Sequence, residues 1–422
     1  MTKCFALFSL FSVLSLTTAC VDFAPVDSEG DPAADSMADL RINEIQVIGS
    51  HNSYKTQPSD LLQAAVELVY GYLPPDSGVE SPDGLVYSHV PLTEQFASQG
   101  IRQIELDVWL DPFGSLFAIP FGPNAAQALT PLLPPGLPLG PDFDPNDVML
   151  NPGPKVFHIQ DIDFRSSCLG FGDCLEEIAV WSGADPTHLP VLILLELKDE
   201  AFDPNLLDPL NTLLRIYYPD HQDFAFAIPY AWTLSDLLAL ENDIRAAFHD
   251  TRMIQPNDVR NGYPTPMEGI QAEGWPTVSE SRGKVFFALD NEGTIRNDYA
   301  NHYPALDGAL IFTSSPPGSP EAAFRKVNDP SASNPSIAEL VADGYLVRTR
   351  ADADTVESRT NDTTRRDAAL ASGAQFISTD YRLPNLDFSD YQVLLPGLPA
   401  DAVARCSPII VPPGCDSSEI AP

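Results

Sequence analysis

Four short stretches of this 422-residue chain carry the residue types that acid–base and metal chemistry need. His51 and Asn52 stand side by side in "EIQVIGSHNSY", where a strand-like apolar run stops on Gly-Ser. Glu105 and Asp107 are two apart in "QIELDVW", His158 follows in "KVFHIQ", and Glu196 closes "PVLILLEL" just ahead of Lys198. Residues two apart on a strand point the same way, so Glu105 and Asp107 share a face. Three carboxylates and an amide are oxygen donors that suit a hard cation, Ca²⁺ first and Mg²⁺ second, rather than zinc. The two imidazoles, whose unperturbed pKa is about 6.5, are then free to move protons near neutral pH. A divalent cation flanked by two histidines fits attack on a phosphodiester, where charge grows on the oxygens bound to phosphorus. Each residue alone has a plainer reading, as a satisfied core histidine or a surface E-x-D pattern. The conjunction carries the weight, because burying three carboxylates together is costly unless a cation compensates them.

Such residues need a scaffold that brings them to one place. Strand-like apolar runs alternate with helical patterns along the chain, the signature of an α/β fold on a parallel sheet. Eight strand candidates appear: "INEIQVIG", "QIELDVW", "KVFHIQ", "PVLILLEL", "GKVFFALD", "GALIFT", "GYLVRT" and "AQFIST". Helices are expected over "LLDPLNTLLRIYY", "TLSDLLALENDIRAAF" and "PSIAELVADG", where Gly344 stops the last, and as one helix through "ESRTNDTTRRDAALASG", stopped by Gly373. Eight strands at this length predict a (β/α)8 TIM-like barrel with long loop insertions, over an open doubly wound sheet. No GxGxxG follows the first strand to support nucleotide binding. In a barrel, chemistry sits at the C-terminal strand ends, and neighbouring ends lie ~5 Å apart. His51, Asn52, Glu105, Asp107, His158 and Glu196 then meet in one mouth.

Composition sets further bounds. Asp+Glu 59 against Lys+Arg 23 gives a net charge of −36, which opposes nucleic-acid phosphates and favours cation binding. Residues 1–20, "MTKCFALFSLFSVLSLTTAC", read as a secretory signal whose apolar core is too short to span a bilayer. "LSLTTAC" also resembles a lipoprotein cleavage box with Cys20 as the lipidated residue, although Thr17 stands where Leu is usual. The expected location is therefore outside the cytoplasm, as a bacterial cell-envelope lipoprotein or a secreted protein. Acidic residues 21–42 read as a tether, residues 43–395 as the barrel and residues 396–422 as a tail. Cys168 with Cys174 and Cys406 with Cys415 form two close pairs, fitting structural disulfides rather than a zinc site. A monomer is expected.

In order along residues 43–395, "HNSY", "IELDVW", "VFHIQDIDFRSSC", "DCLEEIAVWS", "HLPVLILLELKD", "GWPTVSESRGKVFFALDN", "GYLVRTRADADT" and "RRDAALASGAQFISTDY" resemble the bacterial secreted branch of the calcium-dependent phosphoinositide-specific phospholipases C. The resemblance implies cleavage of phosphatidylinositol to diacylglycerol and an inositol phosphate, through attack of the inositol 2-hydroxyl and a cyclic phosphodiester. It implies His51 and His158 as catalytic and Asn52, Glu105, Asp107 and Glu196 as ligands of Ca²⁺. His158 is then assigned to the leaving glycerol oxygen, His51 to the pentavalent phosphorus centre, and Glu105 or Glu196 to the 2-hydroxyl proton. Glycerophosphodiester phosphodiesterase is a competing reading, but its first motif has His-Arg-Gly where this chain has His51-Asn52-Ser53. A surface protein that binds inositol phosphates or lipid headgroups without turnover is a third; it has no need of both histidines.

Weaker candidates complete the reading. Lys198 is a phosphate contact or a rim residue that keeps its charge in water. Arg348 and Arg350 are readers of inositol hydroxyls or phosphates, or partners of Asp352 and Asp354. Tyr381 offers a face to stack on the inositol ring. "DFDPND", from Asp142, lacks the glycine and distal glutamate of a calcium loop. The Pro-rich segment 111–155 has no Arg and only Lys155 as lysine, which favours a packed Ω-loop or subdomain over a lid or membrane-touching lip.

Overall fold

The computed structural model of the protein describes residues 40–74, 77–410 and 414–420. The expected signal, Cys20 and most of the expected tether lie outside the described residues. Apolar runs such as Val191–Lys198 are buried along most of their length, as strands covered on both faces must be. Eight such strands form the barrel: β1 Ile45–Ser50, β2 Gln103–Trp109, β3 Val191–Lys198, β4 Val285–Leu289, β5 Ile311–Thr313, β6 Phe324–Lys326, β7 Leu346–Arg350 and β8 Phe376–Thr379. They pair in parallel in the order β5-β4-β3-β2-β1-β8-β7-β6. The remaining seam is narrowed by a parallel bridge between Ser314 and Phe324, with Lys326 N donating to Ser314 Oγ at 3.0 Å. The result is a nearly closed (β/α)8 barrel.

Alternation along the strands sorts the side chains. Ile193 and Leu195 join the layer shared with the surrounding helices, while Leu192 and Leu194 meet Phe286, Phe312 and Phe376 in a second apolar cluster. Continuing that alternation toward the C-terminal end reaches Glu196. The β2–β3 register sets Asp107 opposite Glu196. Gly49 permits the close β1–β2 approach, since a Cβ there would fall 2.0 Å from Gln103 Oε1.

Two strand expectations change. Only Lys155–Val156 of "KVFHIQ" is extended, and it pairs antiparallel with the end of β2, so it is not a barrel strand. The eighth place belongs to Phe324–Lys326, which is too short and too charged to produce an apolar run; Arg325 and Lys326 take their register from β7. The helix expected across residues 357–373 is two, Val356–Thr360 and Thr364–Ala371. Asn361 takes a left-handed φ of 52°, and the Asp362 side chain accepts from Thr364 N at 2.9 Å, competing with helical bonding. Helices Leu234–Ala247 and Ile337–Ala342 form where expected, each started by a capping box, and Gly344 and Gly373 hold φ of 100° and 88°.

At the lower end, where the strands begin, packing starts at Leu40, which joins Ile42, Trp275 and Val278. The tail returns there: Ala404–Cys406 adds antiparallel to β1, with Ile45 opposite Cys406. Disulfides join Cys168 to Cys174 and Cys406 to Cys415. The segment after β2 is packed, with helix Phe121–Ala128 and a turn at Val148–Leu150; Phe117, Ala125 and Met149 form a cluster with Leu62 of helix Asp60–Tyr70 and Leu210 of helix Asp208–Tyr217. Asp144 accepts from Val148 N and Met149 N, both at 2.8 Å, so the acidic "DFDPND" run caps a turn. Among the described residues no helix is long and apolar enough to cross a membrane.

Candidate active site

The chain leaves β1 through His51 and turns at Asn52, whose φ of 45° is a conformation asparagine tolerates. Ser53 fastens this turn to β2: its N–H donates to Glu105 O at 3.0 Å, and its Oγ accepts from Glu105 N at 2.8 Å. Asn52 is thereby held beside the β2 carboxylates. Its Nδ2 donates to Tyr87 Oη at 3.1 Å, while its buried Oδ1 has no hydrogen-bond partner. Oxygens of Glu105, Asp107 and Glu196 lie within 4.8 Å of one another. Both oxygens of Asp107 are buried with no donor in full hydrogen-bond geometry, the nearby Tyr54 hydroxyl only weakly favouring the charged carboxylate.

Cationic side chains partly balance this cluster. Arg348 is ion-paired and hydrogen-bonded to Glu105, and Lys198 reaches Glu196 at 3.0 Å and Asp107 at 3.7 Å. Burial raises Glu105 to about 7 against the pull of Arg348. Burial, followed by the charge of Glu196, pushes Asp107 well above the carboxylate range. Burial acts the same way on Glu196, but Lys198 outweighs it and holds that carboxyl low. Orphaned oxygens on Asn52 and Asp107, with the Glu105 and Asp107 carboxyls resisting ionisation, are what an oxygen-coordinated divalent cation would satisfy. The donor set fits Ca²⁺.

Both histidines reach the same mouth. His51 Nδ1 meets Asp380 Oδ1 at 2.8 Å, and His158 Nδ1 meets Asp163 Oδ2 at 2.7 Å. His158 gets there from the loop after the short antiparallel pairing, not from a barrel strand. Asp163 also takes the buried Lys55 ammonium at 3.0 Å, and this pairing, with the His158 bond, holds its carboxyl below the usual range despite burial. Asp380, likewise held low against burial by His51 and Arg350, is also ionised. An ionised carboxylate only accepts, so each Nδ1 carries a proton and each Nε2 is the nitrogen left for chemistry. Burial, then Arg350, lowers His51 to about 3 against Asp380.

His51, His158, Lys198, Arg350, Asp380 and Tyr87 all line one cleft of 670 Å³. Two expectations are corrected. Tyr381 is only 3% exposed, lies edge-on to Tyr391 and is not among the cleft-lining residues, so it offers no face to a ligand there. The aromatic residue at the mouth is Tyr87, stacked with His51 at 6.3 Å. Arg348 and Arg350 do not form ion pairs with the Asp352 or Asp354 carboxylates: Arg348 holds Glu105, while Arg350 reaches Asp380 at 3.3 Å and the Asp352 carbonyl at 3.0 Å. Asp163, Asp380, Lys55 and Tyr87 were not singled out from sequence. Asp380 had a signal, as the carboxylate following the last strand; Tyr87 and Lys55, in a long loop and a turn, had none.

Fold and site together are those of a phosphodiesterase built on a (β/α)8 barrel. The model of the Ca²⁺-dependent phosphoinositide phospholipase C family matches residues 40–408, and the chain belongs to that family. Among solved structures it is similar to the Ca²⁺-dependent phosphatidylinositol-specific phospholipase C of Streptomyces antibioticus, at 16% identity over 81% of this chain and 95% of that one, with a TM-score of 0.43. It is also similar to the calcium-dependent phosphoinositol-specific phospholipase C of a Pseudomonas species, at 13% identity over 89% and 97% of the two chains, with a TM-score of 0.46. A third is the phosphatidylinositol-specific phospholipase C of Listeria monocytogenes, at 11% identity over 81% and 89%, with a TM-score of 0.33. Comparison with curated proteins found no match.

Proposed function

We propose that the enzyme cleaves phosphatidylinositol-type lipids to diacylglycerol and an inositol phosphate, by attack of the inositol 2-hydroxyl on phosphorus. The observation that supports this reading is the pair of histidines, each bound through Nδ1 to a carboxylate, lining one cleft together with Lys198, which reaches back to the clustered Glu105–Asp107–Glu196 carboxylates at Asp107 and Glu196. Asn52, Glu105, Asp107 and Glu196 would hold Ca²⁺, whose positive charge would acidify the 2-hydroxyl and offset the charge developing at phosphorus. The anionic phosphodiester at the mouth offsets the Arg350 charge that helps hold His51 low, and Nε2, unprotonated while Nδ1 donates to Asp380, accepts the 2-hydroxyl proton as the inositol oxygen bonds to phosphorus. The imidazolium so formed is balanced by Asp380 and faces the charge on the phosphoryl oxygens, which joins a base role to the electrostatic role expected from sequence. Glu105 and Glu196 are the alternative acceptors of that proton. As the bond from phosphorus to the glycerol oxygen breaks, protonated His158 delivers its Nε2 proton to that oxygen, with Asp163 and Lys55 fixing the ring.

Phosphorus NMR of the protein with phosphatidylinositol in mixed micelles, first with Ca²⁺ and then with chelator, tests the reading. A calcium-dependent cyclic inositol phosphate signal is expected. Inert phosphatidylinositol beside hydrolysed glycerophosphoinositol would move the assignment to a soluble diesterase, and no turnover of either would favour a binding protein.

A further inference from the structure

The cleft does not end at its polar mouth. The same 670 Å³ has an apolar part, here termed the trough, lined by Leu62 and Val66 of helix Asp60–Tyr70, Ala125 of helix Phe121–Ala128, Leu207 and Phe226. We infer that this trough holds one acyl chain of a diacyl lipid substrate, lifted out of the bilayer while its phosphate is cleaved. The inference rests on the lipid reading above and deepens it by assigning a place to the tail.

The walls belong to segments the barrel does not need for closure: the loops after β1, β2 and β3. An inositol phosphate held at the mouth leaves such a chamber unfilled, and apolar surface left in water is unfavourable. The volume lies within the range of small-molecule pockets, which matches a single flexible chain rather than a protein helix.

Asp161 links the trough to the chemistry. Its carboxylate accepts from Phe121 N at 3.2 Å and from Ala227 N at 2.8 Å, one donor from each of two wall segments. Its carbonyl accepts from Gly122 N at 3.2 Å, and a Cβ on Gly122 would fall 2.2 Å from that oxygen. Asp161 follows His158 by three residues, so the walls are fastened to the loop that presents the candidate acid for the glycerol oxygen. A chain attached to that glycerol has the trough directly beside its leaving group.

The outer surface supports the same occupant. Ile119 is 82% exposed, and Phe113, 77% exposed, lies edge-on to Tyr230. These residues flank the wall segments in sequence. The chain's net charge of −36 opposes adsorption to anionic lipid, so apolar contact has to provide the attraction to a bilayer.

Steady-state kinetics on monomeric substrates tests this, using inositol methyl phosphate, dibutyroyl phosphatidylinositol and dihexanoyl phosphatidylinositol below their micelle concentrations. One buried methylene is worth about fourfold in kcat/KM, so the step from butyroyl to hexanoyl on one bound chain is expected to give roughly tenfold or more. Val66→Trp, or Val69→Trp on the same half-buried face if the first does not fold, is expected to cut the ratio of dihexanoyl to methyl ester below about threefold. Equal kcat/KM along the wild-type series would overturn the trough while leaving the lipid reading intact. A gain seen only above the micelle concentration would also overturn it, pointing to surface adsorption, as would an unchanged ratio in both variants. Cleavage of none of the three would remove the lipid reading and the trough together.

Discussion

Asp380 and His51 are each the first residue beyond neighbouring parallel strands, and they meet at 2.8 Å across 329 positions of sequence. The β1–β8 register pairs Ser50 with Thr379, so the next residue on each strand falls at the same level. Asp380→Asn keeps the size but loses the charge that fixes the Nδ1–H tautomer. A fall in kcat of roughly 10²–10⁴ with little change in KM is expected, by steady-state kinetics with circular dichroism as a fold control. A loss below threefold would show that His51 needs no orienting carboxylate.

As a proposed Ca²⁺ ligand, Asp107 makes opposite demands on the metal-free and metal-bound protein. Its buried oxygens lack a donor in full hydrogen-bond geometry and face the charge of Glu196. Asp107→Asn should raise the melting temperature in chelator and weaken Ca²⁺ affinity by at least the roughly 10–100-fold that outer-shell losses cost. Wild type at a Ca²⁺ concentration about 100 times its Kd should gain roughly 2.7 kcal/mol. Calorimetric titration and thermal melts read both effects, and unchanged affinity in the variant would exclude Asp107 as a ligand.

His188 is a pH-sensitive element away from the mouth. Burial is the main cause of its lowering to about 4, aided by Arg102 and Arg252 and opposed by the Leu189 carbonyl and Asp185. Nδ1 donates to that carbonyl at 2.6 Å, so Nε2 accepts from Ser182 Oγ at 2.7 Å. The unfolded chain binds this proton near pH 6.5 and the folded one near 4, so the contribution is intact above 6.5 and is lost as pH falls between the two. The loss is on the order of 3 kcal/mol by pH 4. Urea unfolding at pH 7 and pH 5 should show a smaller drop for His188→Gln than for wild type.

The Cys406–Cys415 bridge closes a short loop whose strand lies against β1. Loop-closure entropy at a separation of nine gives about 2–3 kcal/mol. The double variant Cys406→Ser, Cys415→Ser should lose that much in urea unfolding and keep its kcat, since the strand sits at the end opposite the mouth. A parallel loss of kcat would mean that strain at the bottom of the barrel reaches the site.

Much of the site was readable because strand ends can be read. Glu105, Asp107 and Glu196 sit on long apolar runs whose alternation fixes their direction, and their meeting follows from parallel order alone. His158 was placed at the mouth for a partly wrong reason: its apolar neighbours looked like a barrel strand, whereas a short antiparallel pairing with the end of β2 carries the residue there. Phe324–Lys326 escaped because its hydrogen bonds come from β7 and its side chains carry charge, so no local pattern marks it. For Arg348 and Arg350 the alternative to substrate contact was pairing with the nearby Asp352 and Asp354, because sequence distance stands in for spatial distance until the barrel is folded. The actual partners, Glu105 and Asp380, come from other strands.

Leu40 enters the fold at the foot of β1, whereas His51 stands at its head. The chain thus enters the barrel at its base and carries the candidate site at its rim. The mouth that holds the histidines faces away from the end where Leu40 packs.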